Sequence, residues 1–136
     1  MAAKKTDIKK VASDRAGIYW DKAEDFFRTM RDASAAGNWN GAGLAAVHCA
    51  ISAADAVLVA KAGVRSSSKD HEDAADLIAS HVRHPQAKEQ ARRLRRILQE
   101  KNLIEYVDKS YRQDDALELQ KHVERFMAWV RPHLNR

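Results

Sequence analysis

The stretch Leu44 to Ala62, LAAVHCAISAADAVLVAKA, restricts the fold of this chain more than any other. It holds no Gly and no Pro and is rich in Ala, the strongest helix former. Wound as a helix, it carries apolar residues on every side, so it is a helix buried nearly all round. Such a helix needs others packed about it. His48 and Asp55 share the face of Leu44, Val47, Ile51, Leu58 and Ala62. A His and an Asp in a core must find partners or give up their charge. They either fasten neighbouring helices or form a site. They lie two turns apart, so they share a face without touching.

The rest of the composition agrees with a helical domain. At 136 residues the chain fits one domain, with residues 1–6 expected to be disordered and 7–136 to form the bundle. Five Gly and two Pro are few for a sandwich or barrel. Cys49 is the sole cysteine, which excludes an intramolecular disulfide and a multi-thiolate zinc site, and points to a reducing compartment. The basic N-terminal residues have no apolar run behind them, so no secretory signal is expected. His48 and Asp55 interrupt the apolar stretch, so no membrane span is expected and the chain is placed in the cytoplasm. A net charge of +5 permits contact with nucleic acid or an acidic partner without demanding it.

Taken in order, the periodicity predicts five helices. The first runs from about Asp7 to Ala36, with a stripe of Ile8, Val11, Tyr19, Ala23, Phe26 and Met30 and a weak point at Gly17. Gly37 suits a left-handed cap at its end. Asn38 or Asn40 caps the second helix, which ends at Gly63. Residues 64–69 form a polar loop. Ser68 or Asp70 caps a short third helix bearing Ala74, Leu77, Ile78 and Val82. The fourth spans about Pro85 to Val107 on the stripe Ala87, Ala91, Leu94, Ile97 and Leu98. The fifth begins near Asp114 or Asp115, carries Leu117, Val123, Phe126, Met127 and Val130, and meets Pro132 at its end. Five helices with short links make an all-α, up-and-down bundle.

The polar candidates are few. Beyond Leu98 the core stripe of the fourth helix turns into Lys101 and Glu105, with Asn102 and Tyr106 beside them. That is a helix emerging into solvent or a cluster facing a groove. If helices two and four pack together, Lys101 is the natural partner of Asp55. Lys88, Arg92, Arg95 and Arg96 lie opposite or beside the core stripe, as a solvated face or a phosphate-tracking one. No aromatic residues are interleaved with them to stack bases. Arg65 and His71 flank a Ser-rich loop whose following helix start could hold an anion. His81, His84, His122 and His133 lack metal-ligand spacing, and no metal or cofactor is expected.

Three segments resemble the HEPN superfamily. They are HCAISAADAVL from His48 to Leu58, Gly63-Val64-Arg65 with Asp70-His71 downstream, and LQEKNLIEY from Leu98 to Tyr106. The likeness continues through ERFMAWVRPHL and covers about residues 18–134. It implies a helical bundle linked to nucleotides and RNA, and a homodimer. Nuclease members use an Arg, a polar residue and a His four to six residues beyond the Arg, and cleave RNA without metal. The matching place here has Lys101, Asn102 and Tyr106. Lys lacks the planar fork that grips phosphate, and Tyr is a poor acid–base group near neutrality. Arg65 and His71 have the nuclease spacing but lie in the loop before the third helix, so the role is not carried to them.

Noncatalytic members act as binding partners, in modules with nucleotidyltransferases and in toxin–antitoxin pairs. The resemblance therefore implies a noncatalytic binding module with a nucleotidyltransferase-like or antitoxin partner, and a nucleotide or RNA ligand held by His48, Asp55, Lys101, Asn102, Glu105 and Tyr106. The alternatives are a metal-independent endoribonuclease using Lys101, Tyr106 and His48, and a purely structural interaction protein.

Overall fold

In the computed structural model, described over residues 8–67, 71–106 and 110–134, the chain is an all-α bundle with a small two-stranded strap. The expected disorder of residues 1–6 and the proposed caps Ser68 and Asp70 lie outside the described residues. The order is β1 (Ile8–Lys10), a 3-10 turn (Ser13–Arg15), α1 (Ala16–Ala35), α2 (Trp39–Ala62), β2 (Val64–Ser66), α3 (Glu72–His81), α4 (Ala87–Tyr106), α5 (Gln113–Val130) and a 3-10 turn (Arg131–His133).

α2 is the central post, with α1, α3, α4 and α5 all packed on it. Val47, Cys49, Val57, Leu58 and Val59 have no solvent exposure. It is long and apolar enough to cross a membrane, but 83% of its most apolar window is buried inside the bundle. Its ends follow the sequence. The Asn38 side chain accepts from Gly41 N at 3.1 Å, and Gly63 closes the helix at φ 64°. Gly37 turns the chain between α1 and α2 at φ 73°.

The first helix is shorter than its periodicity suggests. Ile8 to Lys10 form β1, which pairs antiparallel with β2, Lys9 opposite Arg65. Val11 N then donates to Gly63 O at 2.9 Å. The physical reason is competition. The backbone just after α2 has open hydrogen-bonding groups, and pairing with β1 satisfies them. The loop foreseen at residues 64–69 is therefore partly a strand.

α4 runs antiparallel to α2. Its last turns reach the start of α2, where a Cβ on Gly43 would stand 2.6 Å from Ile104 Cδ1 and 2.9 Å from Tyr111 Cε2. Its first turn follows His84, which meets Trp129 and His133 at the opposite end of the bundle. The core stripe Ala87, Ala91, Leu94, Ile97 and Leu98 is buried as expected. Pro132 falls just past Val130, and the chain tightens there into the closing 3-10 turn.

Candidate functional site

α1 and α2 form a hairpin about Gly37. Two antiparallel helices joined this tightly face each other at equal distances from the turn. Asp55 and Tyr19 each lie eighteen residues from Gly37, and His48 and Phe26 eleven. The structure shows both matches. The His48 ring stacks on Phe26 at a centroid distance of 5.4 Å. Asp55 lies beside the group around Tyr19, which also includes Lys22 of α1 and Arg65 of β2.

At this junction a buried carboxylate of α2 meets cations from two other elements, α1 and β2. Asp55 is 7% exposed. The guanidinium of Arg65 approaches its Oδ2 at 3.4 Å and lies over the Tyr19 ring, 5.1 Å from the centroid. Lys22 Nζ stands 5.8 Å from the centroid of the same ring. Burial pushes the Asp55 carboxyl up to about 6, and Arg65 and Lys22 offset only part of that. Arg65 Nε is buried and, among the described residues, has no hydrogen-bond partner. Two cations thus share one carboxylate that burial makes costly to ionise. Arg65 keeps about a third of its side chain in solvent. An added anion would find a cation already aimed by an aromatic face and a strand.

The polar groove expected between helices two and four does not form. Lys101 pairs with Glu105 on its own helix, at 3.9 Å. Asp55 pairs with Arg65 instead. Ile104 fixes the C-terminal part of α4 beside Gly43, and Asp55 is twelve residues farther along α2, about 18 Å by helical rise. Asn102 and Tyr106 are exposed, Tyr106 at 76%. His48 is exposed as well, not enclosed in the core. His48 and Asp55 do share a face, the one turned to α1, but they meet different neighbours there.

Two of the four cations on the basic face of α4 are held in surface ion pairs with neighbouring helices. Arg95 pairs with Asp76 of α3, and Arg96 with Glu118 of α5 at 2.8 Å. Lys88 and Arg92 remain exposed. Arg93, which the sequence did not single out, shares a 2.9 Å hydrogen bond with His122 Nδ1. Burial and the nearby Arg96, Arg93 and Arg125 lower the pKa of His122. Cys49 is buried and its thiol is pushed up to about 12, which leaves it protonated beside Met127. Among the described residues no cluster of three or more His, Cys, Asp or Glu could hold a metal ion.

Sequence reasoning noted Arg65 with His71 beside a helix start that could hold an anion, without linking it to Asp55, and placed Tyr19 in a core stripe. It missed Lys22. The usable signal was the three-residue turn, because pairing residues about Gly37 sets Tyr19 against Asp55.

Fold and junction together define a class: an all-α bundle on a buried central helix, with the carboxylate inside that helix answered by cations from α1 and β2. Within that class the chain belongs to the HEPN family, whose domain model matches residues 16–133. No curated protein and no solved structure matches it.

Proposed function

We propose that the protein is a noncatalytic HEPN module of a nucleic-acid-linked, toxin–antitoxin or stress and defence system, and that it binds the phosphate of a nucleotide or RNA at the Asp55–Arg65 junction. The observation that carries this is the convergence of Arg65 and Lys22 on Tyr19 above a carboxylate that is already reluctant to ionise. Two cations face a single carboxylate there, and a phosphate would supply the further negative charge. Tyr19 would hold the guanidinium in place for a two-point contact. HEPN domains commonly dimerise, which a homodimer fits, and a nucleotidyltransferase-like or antitoxin partner belongs to the same reading. Lys101, Asn102, Glu105 and Tyr106 would then be a second polar surface, separate from the phosphate contact.

Thermal melts with nucleoside monophosphates and short RNA test this. Ligand that binds the native state at a hundred times its dissociation constant adds about 2.7 kcal/mol of stability. The expected result is a ligand-dependent rise in Tm that Arg65→Ala abolishes and Lys22→Ala weakens. A Tm unmoved by nucleotides and RNA alike sinks the reading.

One observation favours catalysis instead. A carboxyl titrating near 6 is suited to general acid–base work near neutrality. Incubation with structured RNA in chelator separates the two readings. RNA cleavage that is lost in Asp55→Asn would make the protein a metal-independent ribonuclease, with Asp55 rather than Tyr106 or His48 moving the proton.

A further inference from the structure

α1 and α5 both pack on α2 but barely meet each other, and a groove of about 330 Å³ stays open between them. Its floor is apolar, made of Trp20, Phe27 and Met127. Its rims are charged. α1 supplies Glu24 and Arg28, α5 supplies Glu124, and the 3-10 turn that follows it supplies Arg131.

The two helices run antiparallel, and Ser34 Oγ bonded to Gln120 Oε1 at 3.2 Å fixes their register. From that contact, helical rise sets Glu24 level with Arg131 and Arg28 level with Glu124, each to within about 3 Å. Opposite charges therefore face each other across the groove at both ends. Yet no ion pair spans it among the described residues. Arg28 turns to Asp25 on its own helix, and Glu124 accepts from Gln120 at 3.2 Å. Glu24 and Arg131 have no ion-pair partner among the described residues. The rim sums to zero charge on a chain that carries +5, so it does not select a polyanion.

We propose that a second copy of this chain docks here, groove to groove, about a twofold axis parallel to α1 and α5. The charge pattern selects that occupant. Rotation about such an axis lays α1 over the α5 of the other copy without changing axial height. Glu24 then faces the partner's Arg131, and Arg28 faces the partner's Glu124. The twofold repeats both pairs, as an isologous interface requires. Phe27 then closes against the partner's Met127, over the floor that Trp20 shares, and aromatic and Arg residues are the usual anchors of such contacts. The proposal refines the homodimer of the preceding subsection by assigning its face.

Sedimentation equilibrium on the full chain, with Glu24→Arg, Arg131→Glu and the double variant, tests it. All these side chains are on the rim, and circular dichroism checks that each variant is folded. Each single swap should weaken the dimer about tenfold or more, through like charges set opposite each other. The double swap restores opposite charges and should return the dissociation constant to within about threefold of the original, since the coupling is pairwise. A dimer indifferent to the single swaps, or single losses without rescue, overturns the assignment of the face and leaves the homodimer standing. A wild-type protein that stays monomeric overturns both. Phosphate binding at Arg65 is read separately by the melts above.

Discussion

Asp55 shows how one residue can be placed against its own preference. The carboxyl titrates near 3.8 when solvated and near 6 when folded. The folded state therefore binds this proton more tightly than the unfolded chain does. Stabilisation from the group is full below about pH 4 and is lost as pH rises through about 6. Keeping Asp55 ionised at neutral pH costs about 3 kcal/mol, because each tenfold change in proton affinity is worth about 1.36 kcal/mol. Asp55→Asn removes that cost, and its amide oxygen can still accept from Arg65, which keeps part of its solvation. The variant should exceed the parent in stability by about 1–3 kcal/mol at pH 8, a gain gone by pH 4, as measured by urea denaturation at both pH values. A protein that keeps a destabilising carboxylate at a junction of cations fits a site selected for binding rather than stability. The sequence revealed that Asp55 was anomalous, because a charge amid Ala and Val is conspicuous. It did not reveal the partner. Lys101 and Arg65 are equally available in a linear chain, and only the axial offset between α2 and α4 decides between them.

At the scale of elements, legibility tracked length. α2 and α4 have many turns of apolar periodicity and are buried where the spacing puts their apolar residues. In α5, Val123, Phe126 and Val130 are buried as expected but Leu117 is 39% exposed. Ala116, Leu119 and Trp129 complete the stripe instead, because the helix turns that side to its neighbours. β1 and β2 are three residues each, with no alternation to detect, and β1 is exposed throughout. Strands that short are set by a neighbour's backbone rather than by their own side chains. Ile8 and Val11 also match a helical stripe, so the pattern extended the first helix too far. Gly43 is the tightest constraint between elements. Its missing side chain lets Ile104 and Tyr111 close over the start of α2. Gly43→Ala gains helix propensity but forces those two side chains aside, and overpacking should make the net cost about 1–3 kcal/mol. Thermal unfolding would register the loss. A Tm equal to or above the parent's would mean that the α4–α5 connection yields easily.

The molecule as a whole carries opposing responses to acid. His122 and His133 both titrate below their ordinary value, His122 through burial and neighbouring Arg residues, His133 through burial, His84 and Lys61. The folded state prefers them neutral. Their contribution is full above about pH 6.5 and is lost as pH falls through their lowered values. Asp55 works in the other direction over an overlapping window. Between pH 7 and 5 the two effects offset, and the stability of the parent should be comparatively flat there. In Asp55→Asn the offset is gone, so its stability should drop more steeply on acidification, a difference that melts at half-unit pH intervals would resolve. Family membership was legible because it rests on the order of several segments along the chain. The charge junction was not, because it depends on register between helices, which no single segment encodes. The strap between β1 and β2 adds a practical consequence. It ties Ile8–Lys10 to the strand that presents Arg65, so a fusion tag pulling on that side of the chain would load the guanidinium itself.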